Sequence, residues 1–403
     1  MSRIRPILQK AVVPVLSVVT ALILGAVVIV LTDLEHLSQL GSDPGGAITG
    51  ALGGVVNGYG AMLSGAFGDP ARIVSAIQSG QTADIATAVR PLTETLVAAT
   101  PLIFVGLGVA VSFRTGMFNI GGGGQLIMGA LGGTAAAIAL QTSGLPSILI
   151  LIVAVIAGAA LGGAWGFIPG FLKARTGAHE VITTIMLNFV ADQIVFFALL
   201  TEFIQQPGSG QPISRPFTWV DVPPIIALPA IRLDWSFIVA LAMAGVVSLL
   251  LFRTTKGFEL RAAGFNLTAA RYAGMSAGGS MILGMTISGA LAGMGGAFLV
   301  LGAVGQLTLD IAGGIGFNAI ALALLAGLRP SGVILAALLF GALTTGGKLM
   351  GIQSGIPFDL LFLIMALVIM FVAAPGLIRS IWRIRVSKPL PEVATMSQGS
   401  GPV

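Results

Sequence analysis

Long apolar runs with no charge inside them restrict this sequence more than any other feature. Ala11–Leu31 is the first, with no acidic or basic residue in it. A bilayer core of about 30 Å needs about 20 apolar residues of helix to cross it. It offers backbone groups no water, so a chain crosses as helices or as a closed barrel. Runs of this length select helices. Only 9% of the 403 residues are charged, against about 25% in a soluble domain. The expected fold class is therefore an all-α polytopic membrane protein. Ala11–Leu31 is longer than a signal-peptide core and has no evident small-residue cleavage site after it, so it reads as a retained span.

Charge orients the spans. Arg3, Arg5 and Lys10 precede the first, which places residues 1–11 in the cytoplasm. Ten spans are expected, at about 12–31, 91–111, 117–140, 147–170, 181–200, 236–252, 276–303, 317–328, 331–347 and 358–375. Both termini are then cytoplasmic, with a basic tail over 376–403 carrying Arg379, Arg383, Arg385 and Lys388. Fifteen of the twenty basic residues fall inside; Arg72, Arg90, Arg215, Arg232 and Lys348 fall outside. Residues 32–90 and the Pro-rich 201–234 are outer segments. Within the former, Gly46–Gly68 is long enough to span but weakly apolar, and is expected to be interfacial or re-entrant. Counting it as a full span would put twelve basic residues outside and eight inside, against the positive-inside rule.

Arg253–Gly274 is a polar island between two spans, with Arg253, Lys256, Arg261 and Arg271. A basic residue at the bilayer centre costs about 2.5–3.5 kcal/mol on insertion scales, so the island lies in water. Asn266 suits an N-cap, Leu267–Ala273 about two helical turns, and Gly274 a C′ position. Small exposed side chains at Ala269, Ala270 and Ala273 would make a short knob for a socket on another protein. The bland reading is a solvated loop.

Gly116–Gly129 reads GMFNIGGGGQLIMG. Four consecutive glycines cost a helix about 1 kcal/mol each relative to Ala, and they permit a break. Asn119 and Gln125 flank it. A broken helix at membrane depth can line a solute path; the rival reading is close packing through small residues. Asn188 and Asn318 are further polar candidates for that path. The Phe118–Asn119 and Phe317–Asn318 pairs echo one another and hint at an inverted repeat. Glu94 and Asp192 are rare acids in or beside spans and so candidate path residues. Their bland readings are a span cap and a buried hydrogen-bonding partner.

Other chemistry is excluded by spacing. Gly341–Met350 approaches a P-loop but has Ala342 where Gly is needed and Leu349 where Ser or Thr is needed. His179–Glu180 lacks a His at 183, where Thr183 stands, so no zinc helix forms. There is no cysteine and there are only two histidines. The net charge of +5 is no nucleic-acid signature, because the basic residues sit at span ends. No nucleophile–base or metal cluster emerges, so the chain is not expected to be an enzyme.

The segments RTGMFNIGGGGQLIMGA, GAHEVITTIMLNFVA and GFELRAAGFNLTAARYAG resemble, in that order, permease subunits of bacterial ABC importers for nucleosides. Those are related to the ribose-type and branched-chain amino acid permeases. The likeness covers most of 55–375. It implies a single permease domain in the bacterial plasma membrane, forming half of a pore. It also implies a second permease chain, an ATP-binding subunit that holds ATP and magnesium, and an extracytoplasmic binding protein, often a lipoprotein, that delivers solute. No cofactor is expected on this chain. The island would be the coupling helix, with Gly257, Arg261, Gly264, Asn266, Ala269, Ala270 and Gly274 facing the ATP-binding subunit. Relatives often carry an acid at the third glycine of the run and Asn in place of His179, and 72–90 resembles a longer outer insertion. From the residues alone, a proton- or ion-coupled carrier using Asp192 or Glu94, and a structural membrane subunit, stay open.

Overall fold

The structure, a computed structural model, describes residues 4–383; Arg3, Arg385 and Lys388 lie outside them. Sixteen α-helices follow one another in the described residues, and no β-strand occurs among them. Helix α1 (Ile4–Thr32) carries the first apolar run. Then come α2 (Leu34–Ser38), α3 (Pro44–Phe67) and α4 (Pro70–Ser79). Helix α5 (Thr82–Arg114) has 33 residues, about 50 Å at 1.5 Å per residue. It begins nine residues before the expected span because the Pro91 ring is accommodated inside it. Helices α6 (Gly122–Ala139), α7 (Ser147–Thr176), α8 (Glu180–Leu199) and α9 (Trp235–Arg253) follow. The island folds as α10 (Thr255–Phe265) and α11 (Leu267–Tyr272). Helix α12 (Ala277–Phe298) runs into a π-helical turn, Leu299–Val304. The chain ends with α13 (Ile315–Leu325), α14 (Pro330–Ser354), α15 (Phe358–Ala373) and α16 (Pro375–Ile381).

Seven of these, α1, α5, α7, α8, α9, α12 with its π-turn, and α14, are long and apolar enough to cross a membrane. The pair α15–α16, bent by 91°, makes an eighth if taken as one span. Helices α6 and α13 occupy the other two expected positions. Helix α13 is only eleven residues long. Helix α6 is diluted by glycine and Gln125, and nearly all of it is buried. A helix surrounded by protein meets side chains rather than lipid, so hydropathy measures it poorly. Helix α3 is one unbroken helix of 24 residues, about 36 Å, packed along α14. Among the described residues, 46–68 therefore holds no internal break of the kind a re-entrant element needs. The stretch 72–90 is mostly helical as well. Asp69 caps α4, and Gly80 turns the chain at φ 67 into α5.

The core is a glycine-lined contact. Helix α12 is central and packs on α5, α6 and α7. A Cβ added to Gly162 of α7 would lie 2.5 Å from the carbonyl oxygen of Gly289 and 2.7 Å from Cα of Gly293, both on α12. It would also lie 3.0 Å from the carbonyl oxygen of Gln125 on α6. Three backbones meet there with no room for a side chain. Lipid tails are as apolar as leucine, so association relies on such close van der Waals packing.

Residues 201–234 are irregular but pinned to the bundle. The Ser214 N–H donates to Leu307 O (2.9 Å), and the Leu307 N–H donates back to Ser214 Oγ (2.8 Å). Phe217 N–H donates to Gly305 O, and Trp219 Nε1–H to Ala137 O at the end of α6. The segment thereby fixes the loop that follows the π-turn.

Candidate functional site

The break lies ahead of the glycine run rather than within it: residues 115–121 are non-helical, and Gly122–Gly124 form the first turn of α6. Helix α5 stops at Arg114, Gly116 takes φ 74, and α6 starts only at Gly122. A Cβ on Gly122 would sit 2.9 Å from Val105 Cγ1, about nine residues back along α5 from Arg114. The start of α6 therefore lies about 13 Å inside the bundle, measured along α5. The start of α13 comes to the same place. Built on Gly316, a Cβ would be 2.5 Å from Gly123 N and 2.8 Å from its Cα. Two helix N-termini, each with N–H groups that lack intrahelical partners and a partial positive charge, meet within the bundle.

Asparagines hold this junction. Asn188 on α8 accepts from Gly124 N–H (2.8 Å) and donates to Ile120 O (3.1 Å), bridging the break. Asn119 Oδ1 accepts from Gly121 N–H (2.8 Å), while its Nδ2 donates to Gln125 Oε1 and Ser288 Oγ, each at 2.9 Å. Asn119 is 0% and Gln125 1% exposed. In this conformation Asn119 and Gln125 are buried and bonded to each other rather than forming an open polar lining. Asn318 is half-buried and its side chain makes no hydrogen bond among the described residues; it sits inside the first turn of α13, whereas Asn119 stands before α6. The structure thus gathers Asn119, Gln125, Asn188 and Asn318 about one junction.

The two acids separate. Asp192 lies one turn beyond Asn188 and is exposed to a cavity shared with Asp310. Glu94 is twelve residues inside α5 rather than at its start. It forms a two-pronged ion pair with Arg232 of the irregular 201–234 segment, Nε to Oε1 at 2.8 Å and Nη2 to Oε2. Arg232 also donates to Ala303 O in the π-turn (3.4 Å). Glu94 is a strut between the irregular 201–234 segment and the bundle.

The island, α10 and α11, packs against the break. Asn266 Oδ1 accepts from Thr268 and Ala269 N–H, both at 3.0 Å, and Gly274 takes φ 78, as N-cap and C′ residues do. Helix α10, capped by Thr254 Oγ1 on Gly257 N–H (3.0 Å), was not legible as a helix beforehand. Ala270 corrects the expected knob: it is 2% exposed, on the inward side of α11. Ala269 and Ala273 are exposed as expected, and the large outward side chains are Phe265 at the end of α10 (95%) and Tyr272 on α11 (91%). Of the seven island positions singled out, Gly257 is also buried, against Leu250 and Leu251. Arg261 turns inward, its guanidinium 5.3 Å from the Phe252 ring centre, with Arg114 5.0 Å away over the same ring. Gly264 touches the break directly: its Cβ would stand 2.8 Å from Gly116 N. Leu267 packs on the buried cluster Met117, Met281 and Met285. Leu267 and Met117 were missed from sequence; an apolar residue directly after an N-cap was the only available signal.

Asn119→Leu strands Gly121 N–H, Gln125 and Ser288 in a buried site, at about 1–3 kcal/mol per orphaned group. The expected result is a lower melting temperature for the detergent-purified chain than for wild type. Equal melting temperatures would remove Asn119 from the junction's stability.

Comparison with known proteins agrees with these features. The family described as branched-chain amino acid transport system / permease component matches residues 92–374. The guanosine ABC transporter permease protein NupP of Bacillus subtilis (strain 168) is 39% identical over 81% of this chain and 87% of its own. The nucleoside ABC transporter permease protein NupB of Lactococcus lactis subsp. cremoris (strain MG1363) is 35% identical over 72% and 80%. The glucose ABC transporter permease protein TsgB13 of Haloferax volcanii is 36% identical over 70% and 75%. No solved structure matches the chain. The apolar helices, the helix break and a match running from α5 to the turn after α15 converge: this chain belongs to the branched-chain amino acid transport system permease family and is a multi-pass membrane permease subunit of an ABC importer.

Proposed function

We propose that this chain forms half of a nucleoside path, paired with a second permease chain. An extracytoplasmic binding protein loads it, and ATP hydrolysis on a separate ATP-binding subunit drives it. One observation carries the coupling: the island's backbone at Gly264 rests on Arg114 and Gly116, the residues that end α5 and open the helix break. Leu267 adds a packed contact to Met117 in the same loop. A push on Phe265 and Tyr272 is thus delivered within one residue layer to the loop that caps α6. Asn266 and Gly274 set the ends of α11, Ala269 lies on its exposed side, and Gly257, Arg261 and Ala270 seat the island on the bundle. Nucleoside is preferred to simple sugar because NupP, named for guanosine, is 39% identical over 81% of this chain, against 36% over 70% for TsgB13, named for glucose.

The reading is tested in vesicles carrying the assembled transporter. Guanosine uptake should require ATP and binding protein and survive a proton uncoupler. Uptake that persists without ATP and collapses with the uncoupler would overturn it in favour of a gradient-driven carrier.

A further inference from the structure

A cavity of about 420 Å³ opens where α8, α6 and the loop after the π-turn converge. Its polar groups are Asp192 and Gln193 from α8 and Thr308 and Asp310 from the loop; its apolar walls include Ile127 and Phe196. The two sources of polar groups are held independently. Asp192 and Gln193 ride on α8, one turn past the Asn188 that bridges the helix break. Thr308 and Asp310 follow Leu307, which is pinned in both directions to Ser214 of the outer segment. Asp310 takes φ 55, a left-handed conformation that Asp and Asn tolerate better than most residues.

The chemistry of the lining selects its occupant. An ionised carboxylate only accepts hydrogen bonds, so a solute held here must bring donors in pairs. Neighbouring hydroxyls on a sugar ring do this. The Gln193 amide and the Thr308 hydroxyl also donate, which suits ring oxygens and exocyclic carbonyls. Phe196, 41% exposed, offers a flat apolar face for an aromatic base, with the buried Ile127 closing the wall behind. No basic side chain is among the lining residues, and two carboxylates repel a phosphate. We propose that this cavity is a riboside subsite of the transport path, with the ribose diol on Asp192 and Asp310 and the base against Phe196 and Ile127. The assignment rests on the nucleoside reading above and goes further by naming the residues that read the sugar.

The test compares uptake of guanosine and 2′,3′-dideoxyguanosine by the assembled transporter carrying wild type, Asp192→Asn, Asp310→Asn or both. The binding protein is the same in every case, so a change in the ratio of the two rates reports on the permease alone. Asparagine keeps size and backbone tolerance, and co-purification of the ATP-binding subunit checks assembly. Losing a charge-assisted acceptor should cut the guanosine preference about tenfold per variant, with the dideoxy rate changed far less. An unchanged ratio in assembled variants, or a wild type with no such preference, overturns the subsite and leaves nucleoside transport standing. A wild-type transporter that moves no guanosine overturns the nucleoside reading instead.

Discussion

Replacing Asn266–Ala273 with a glycine–serine linker of equal length is expected to reduce ATP-driven uptake to background while the chain still inserts and folds. Three losses coincide in that change. The Asn266 cap disappears, so α11 loses two hydrogen bonds at its start; a capping side chain is worth about 1 kcal/mol. Leu267 leaves the methionine cluster under the break. Tyr272, 91% exposed, leaves the outward surface. The bundle itself has little reason to unfold, because its central contacts run through α5, α6, α7 and α12. The measurements are uptake, co-purification of the ATP-binding subunit and melting temperature, made together. Normal uptake would refute the coupling role. Tyr272→Ala, and Phe265→Ala beside it, separates docking from seating. Both side chains point outward, so co-purification should weaken while the melting temperature holds.

Gly162→Leu is expected to have the largest effect on stability. The new Cβ alone would stand 2.5 Å from one backbone oxygen and 2.7 Å from a Cα, distances that real Cβ atoms do not adopt. Helices α7 and α12 must part to admit it. Overpacking of a tight core costs about 1–3 kcal/mol even for extra methylenes, and here the obstacle is backbone, which cannot swing aside. Detergent-purified Gly162→Leu should lose most of its yield or melt at least roughly 5 °C lower than wild type. Gly245→Leu on α9 is the matched control, since nothing lies within 4 Å of its Cβ direction. It should express and melt as wild type does. Equal melting temperatures for the two variants would show that the α7–α12 contact is not what holds the bundle together.

The limits of reading the sequence show most clearly at the amides and the acids. Asn119, Gln125 and Asn188 stood out as polar groups among apolar ones, and they do gather at one junction. The partners they find there depended on α8 and α12 coming against the start of α6. Glu94 stood out as an acid near a span, but its partner Arg232 is 138 residues away, beyond any local pattern. Asp310, lying in a short outer turn, gave no sign that it would share a cavity with Asp192.

By itself the sequence determined what is governed by neighbours a few residues apart. Apolar length made the chain a helical membrane protein, and Asn266 and Gly274 bounded α11. Caps, turns and hydropathy act over one helical turn or sum along one segment, so they are written locally. The tertiary structure alone decided which face each helix buries. Turning Ala270 inward and Phe265 and Tyr272 outward, setting Gly264 on Gly116, and bringing the starts of α6 and α13 together all depend on packing between distant segments. Such packing is settled by the shapes of several helices at once, and no single stretch of residues carries it.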